Sequence, residues 1–93
     1  MVFWVYILWS ETAGRYYCGS TDDVERRVRQ HNDPDYHGSK TTKRFEGPWM
    51  LIWSEQHATR AEAMAREKQV KKRGIGRFLK EVAQSVESRA ARD

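Results

Sequence analysis

Apolar residues gather in two unbroken runs, VFWVYILW at residues 2–9 and WMLIW at 49–53, and recur at helical spacing elsewhere. The first run is β-branched and aromatic, which favours a strand over Val2 to Trp9. In a strand, Phe3, Val5, Ile7 and Trp9 share one face and Trp4, Tyr6 and Leu8 the other. Both faces are apolar, so this strand is predicted to be central and covered on both sides. SETAG, residues 10–14, reads as a turn, and Arg15 to Ser20 returns as the second strand of a hairpin. A turn pairing Trp9 with Gly14 puts Tyr6 directly opposite Tyr17, with both phenols on one face.

Asp22, with Glu25 three residues on, has the pattern of a helix N-cap, and the helix is predicted to reach about His31. A polar segment from Asn32 to Pro48 follows, long enough for a loop that it invites a functional reading or that of a mobile connector. WMLIW is the third strand. Thr59 and Glu62 form a capping box that opens a helix to about Lys72, and Gly74 and Gly76 break it. Ile75, Phe78, Leu79, Val82 and Val86 then repeat at helical spacing, so a final helix packs on the domain. Residues 88–93 read as a flexible tail, which leaves residues 1–87 as one domain. The order strand, strand, helix, strand, helix, helix predicts an α+β fold, a three-stranded antiparallel sheet flanked by helices.

The 93 residues suit one core, and 39% hydrophobic with 32% charged residues is the balance of a globular chain. No apolar run is long enough to span a bilayer. The first run lacks the flanks of a signal peptide. With Cys18 the single cysteine, no intrachain disulfide is possible, and a reducing, cytoplasmic setting is expected. A net charge of +4 and a pI near 9.5 make an anionic partner plausible, nucleic acid first.

Helical phase, about 100° per residue, sorts the charged side chains. In the first helix Val24 and Val28 face the core, and Arg27 and His31 fall on the same stripe. Glu25, Arg26, Arg29 and Gln30 fall outside it. An arginine at the edge of a core needs a partner, which is either an acidic residue or a bound phosphate. In the second helix Ala63 and Val70 mark the buried stripe, and Glu67 lies between them. Glu67 either pairs with Arg27 or holds a divalent ion, since one carboxylate with waters and phosphate is a normal way to hold Mg²⁺. Cys18, His31, His37 and His57 lack zinc-ligand spacing. Lys40, Lys43 and Arg44, with Tyr36 and Phe45, make a basic loop interleaved with aromatics. It is either a solvated loop or a surface for single-stranded nucleic acid.

These residues resemble the GIY-YIG nuclease superfamily, in particular small bacterial members related to the nuclease module of the UvrC excision-repair subunit. Trp4-Val5-Tyr6 corresponds to the first signature and Tyr17-Cys18-Gly19 to the second. Arg27 follows at the family's interval, and EAMAREKQVKK, residues 62–72, resembles the helix that carries the metal-binding glutamate. The resemblance covers roughly residues 3 to 86. It implies metal-dependent endonucleolytic hydrolysis of DNA with one Mg²⁺ or Mn²⁺. Tyr6 would then be a general base, Tyr17 the second site tyrosine and Arg27 the phosphate ligand. His31 would lie near the nucleophile, and Glu67 would hold the metal. Tyr6 and His31 remain rivals for the base. Single-stranded or distorted DNA is the expected substrate. The rival expectations are a nucleic-acid-binding module without chemistry and a nuclease that needs a partner for specificity. Ser20 and the lack of an asparagine beyond Glu67 depart from several relatives.

Overall fold

A computed structural model describes residues 1–33, 35 and 47–91, with side chains as far as residue 83. The hairpin forms from β1 (Phe3–Ser10) and β2 (Arg15–Thr21). Gly14 sits in the turn at φ 64°, a left-handed conformation that suits glycine, and its N–H donates to the Ser10 carbonyl at 2.8 Å. The Ser10 hydroxyl accepts from the Ala13 N–H at 3.1 Å, which lets a serine be fully buried beside the turn.

The register differs from the expected one. Gly14 is used inside the turn, so Ser10 pairs with Arg15, Leu8 lies opposite Tyr17, and Tyr6 lies opposite Gly19. A two-residue displacement keeps every side chain on its expected face, so the two phenols still share a face, now diagonally. β3 (Met50–His57) pairs antiparallel with β1, giving the sheet order β2-β1-β3 with β1 central, as predicted. β3 continues to His57 rather than ending at Trp53, and Trp49 precedes it as a core residue. Ile7 faces Trp53 while Leu8 faces Leu51, so Ile52 is the extra residue of a bulge.

Helix α1 (Val24–Asn32) is capped by Asp23, not Asp22. The Asp23 carboxylate accepts from the Arg26 N–H at 3.0 Å, while Asp22 forms an ion pair with the Arg26 side chain at 2.6 Å. Helix α2 (Arg60–Arg73) opens on the predicted box. Thr59 Oγ1 accepts from the Glu62 N–H at 3.2 Å, and Glu62 reaches back to the Ala58 N–H at 3.3 Å. Gly74, at φ 97°, ends α2. Gly76 is no breaker, because α3 (Ile75–Ala91) already contains it, and the segment expected to be a tail from Ser88 begins inside that helix.

The sheet is covered on both sides. Val5, Ile7 and Cys18 pack with Ala63, Val70 and Phe78 of α2 and α3. On the other face Tyr6, Leu8 and Trp49 pack with Tyr17 and with Val24 and Val28 of α1. Val5, Ile7 and Leu8 have no exposed surface, and such burial contributes about 1.5–3 kcal/mol per side chain.

Candidate active site

The central strand aims Tyr6 at α1, where a buried phenol must find a hydrogen-bond partner. Tyr6 is 1% exposed and His31 is 3% exposed, and the Tyr6 hydroxyl lies 2.9 Å from His31 Nε2. Burial pushes the Tyr6 phenol well above its ordinary value, and the neighbouring Tyr17 adds to this. The Arg27 charge and its hydrogen bond to the phenol pull the other way without prevailing. The phenol therefore keeps its proton, and its 2.9 Å hydrogen bond with His31 Nε2 runs in the direction set by the imidazole tautomer.

Tyr17 completes an aromatic cluster. Its ring centroid lies 6.2 Å from that of Tyr6 and 4.8 Å from that of His31. Gly19 makes this meeting possible. A Cβ there would stand 2.7 Å from the Tyr6 oxygen, 2.9 Å from Cζ and 3.1 Å from Tyr17 Cε1. The glycine of the second signature is thus a space requirement set by the strand pairing, since Gly19 lies directly opposite Tyr6.

Arg27 is half-buried on the same stripe of α1 as His31, as predicted, and Arg26 and Arg29 are exposed. Its Nη1 donates to Gln30 Oε1 at 2.9 Å. Helical phase puts Gln30 on the outer side. Its contact with Arg27 instead draws it half under the surface, and phase alone could not reveal that. Asn32 is a second positioning residue that the sequence pattern does not single out. Its side chain donates to the Trp49 carbonyl at 3.0 Å and accepts from the Trp49 N–H at 2.7 Å, tying the end of α1 to the approach to β3. A lone asparagine at a helix end is the only signal of it.

Glu67 lies on the other side of the sheet, between Ala63 and Val70 of α2, with 21% of its side chain exposed. Its Oε2 accepts from Lys71 Nζ at 2.6 Å, so the neighbouring lysine of its own helix answers its charge. Burial, and then the Glu67 charge, push the Cys18 thiol up to about 11, so Glu67 stands beside Cys18 on β2. Burial alone would depress the Lys71 ammonium. The Glu67 hydrogen bond and charge, joined by Cys18 and Tyr17, outweigh it and hold the ammonium above its usual value.

The structure brings Tyr6, Tyr17, Arg27 and His31 together, while Glu67 stands on the other face of the sheet with Lys71 and Cys18. Lys40, Lys43 and Arg44 lie outside the described residues. Among the described residues no three His, Cys, Asp or Glu side chains gather in a way that could hold a metal ion. A lone, partly exposed carboxylate fits a hard ion that keeps its waters, as Mg²⁺ does. No helix among the described residues is long and apolar enough to cross a membrane.

Comparison with known proteins agrees with this geometry. The GIY-YIG catalytic domain matches residues 2–74. A UPF0213 protein of Halobacterium salinarum is 45% identical over 58 residues, which cover 62% of this chain and 71% of that protein. A structure-specific endonuclease subunit SLX1 homologue of Trypanosoma cruzi is 47% identical over 51 residues, 52% of this chain but 10% of that protein's length. The solution structure of a UPF0213 protein from Bacillus halodurans superposes with a TM-score of 0.50 at 36% identity, covering 92% of this chain and 85% of the other. The matched span runs from the hairpin that carries both tyrosines through the helix that carries Glu67, and the chain belongs to the GIY-YIG family.

Proposed function

We propose that the chain is a metal-dependent endonuclease that hydrolyses DNA phosphodiester bonds, with single-stranded, branched or otherwise distorted DNA as substrate in a cytoplasmic setting. The observation that carries this reading is the buried hydrogen bond between Tyr6 and His31, with Arg27 beside it. Any buried phenol needs a hydrogen-bond partner, but an imidazole and a cation together at one hydroxyl also supply the proton acceptor and the positive charge that hydrolysis of an anion uses.

In the proposed step the Tyr6 oxygen takes a proton from the attacking water as its own proton passes to His31 Nε2. This arrangement lets a phenol that cannot ionise alone still act as a base. The resulting hydroxide attacks phosphorus, and the bond to the leaving oxygen breaks with its electron pair staying on that oxygen. Arg27 offers its fork of donors to the phosphate and offsets the charge that develops there. Tyr17 fixes the orientation of the Tyr6 and His31 rings. Glu67 would hold one Mg²⁺ or Mn²⁺, exchanging Lys71 for the ion. Bound there, the ion would supply positive charge that offsets the charge developing in the reaction.

The SLX1 homologues are named structure-specific endonuclease subunits, which supports the preference for branched or distorted DNA. The word subunit also favours a second reading, in which another chain supplies substrate specificity. The test is cleavage of labelled single-stranded, duplex and branched DNA with Mg²⁺ or Mn²⁺, with Arg27→Ala and Glu67→Ala as controls. Cleavage by the wild type that both substitutions reduce by about 10²-fold or more supports the reading. Intact substrates under every condition overturn it for the chain acting alone.

A further inference from the structure

A second surface lies on the Glu67 side of the sheet, where α3 passes over β2. Tyr16, Gly76, Arg77, Leu79 and Lys80 line a groove there of about 640 Å³. Tyr16 forms its aromatic wall. One side of the ring packs on Trp9, with centroids 4.7 Å apart, yet the residue stays 41% exposed. Gly76 lets the helix backbone run beside the ring, since even a Cβ there would be 3.6 Å from Tyr16 Cε2. Arg77 and Lys80, one helical turn apart and both exposed, stand on the rim. The sequence leading into the groove, KKRGIGRFLK at residues 71–80, adds Lys71, Lys72 and Arg73, of which Arg73 is tied to Glu81 at 2.5 Å.

A fixed, open aromatic ring with cations at its rim has the chemistry of a base-stacking platform, the ring under a base and the cations on the backbone. Its position favours the same occupant. Tyr16 and Cys18 point to the same face of β2, about 7 Å apart along the strand, and Cys18 is the residue that feels both Glu67 and Lys71. The groove therefore opens on the same face of the sheet as the carboxylate proposed to hold the metal.

We propose that this groove is a subsite for single-stranded nucleic acid, seating a base on Tyr16 and a flanking phosphate on Arg77 and Lys80. The inference rests on the nuclease reading for the strand's continuation to the Tyr6 site, but binding tests it apart from cleavage. The experiment measures fluorescence anisotropy of a labelled thymidine oligonucleotide without divalent metal across a salt series. It compares the wild type, Tyr16→Phe, Tyr16→Leu and Arg77→Ala/Lys80→Ala, with thermal melts to check folding. Tyr16→Phe, which keeps the ring, is expected to bind within about twofold of wild type, and Tyr16→Leu about 5- to 100-fold more weakly. Removing both cations should flatten the slope of log K against log salt by about 0.7 for each phosphate they neutralise. In cleavage, Tyr16→Leu should raise KM and leave kcat within about twofold.

Wild-type affinity and salt slope in Arg77→Ala/Lys80→Ala, whose changed side chains are exposed, would overturn the groove even if Tyr16→Leu failed to fold. So would an absence of oligonucleotide binding by the wild type. Binding weakened in Tyr16→Leu and in the double variant, with no cleavage of any DNA, would sink the nuclease reading and leave the groove standing. Cleavage unaffected by any of these variants, with unchanged binding, would do the reverse.

Discussion

Gly19→Ala alters no group that takes part in the proposed chemistry, yet it is expected to disable the site. The added Cβ would stand 2.7 Å from the Tyr6 oxygen and 2.9 Å from Cζ, about 0.7 Å inside ordinary contact at both. The obstructing atoms belong to a rigid ring that is 1% exposed, so neither atom can swing away into solvent. Relief requires the Tyr6 ring to move or the β1–β2 pairing to open. Overpacking of this kind costs about 1–3 kcal/mol, which for a domain of this size is a fall in Tm of roughly 5–20 °C. A displacement of the hydroxyl approaching 1 Å should lower kcat by about 10²-fold even in the folded fraction. Thermal melts and single-turnover cleavage at a temperature well below both transitions separate the two effects. Gly76→Ala is the control, because its Cβ meets Tyr16 at an ordinary 3.6 Å and should leave Tm unchanged or slightly raised. A Gly19→Ala protein with wild-type Tm and wild-type cleavage would refute the steric argument.

Other perturbations follow from the same structure. Asn32→Ala removes both hydrogen bonds to the Trp49 backbone and strands its N–H; urea unfolding should show a loss of about 1–3 kcal/mol, and a loss below about 0.5 kcal/mol would contradict the role given to that side chain. The Cys18 thiol is raised by burial and by Glu67 from 9.0 to about 11, so the folded state binds its proton more tightly than the unfolded state does. This contribution is fully present below pH 9 and is lost as pH rises toward 11, with Tyr6 acting in the same direction above its ordinary range. Urea midpoints should fall between pH 9 and 11, less steeply in Cys18→Ala, and a rising midpoint would contradict the sign.

Much of this arrangement is legible in the residues because strand and helix periods are rigid rules. The alternation of VFWVYILW assigns Tyr6 and Val5 to opposite, covered faces, and the structure packs them so. Helical phase separates Arg27 and His31 from Arg26 and Arg29, and Ala63 and Val70 from Glu62. What escapes depends on one-residue choices between nearly equal local options. Asp22 and Asp23 are both competent caps, and the selection of Asp23 frees Asp22 for Arg26. The hairpin register turns on whether Gly14 belongs to the turn or the strand. Only the paired structure reveals that Gly19 must be empty because Tyr6 lies across from it. The length of β3 is also hidden, because its second half, SEQH, is polar on a sheet edge and gives no apolar alternation.

The central claim is that the Tyr6–His31 couple activates the water. Single-turnover cleavage by Tyr6→Phe, with an intact fold verified by its melt, tests it most directly, since only one oxygen is removed. On the best DNA substrate with saturating Mg²⁺ or Mn²⁺, a rate about 10²- to 10⁴-fold below wild type is predicted. A Tyr6→Phe rate within about threefold of wild type would contradict the account and shift the base elsewhere.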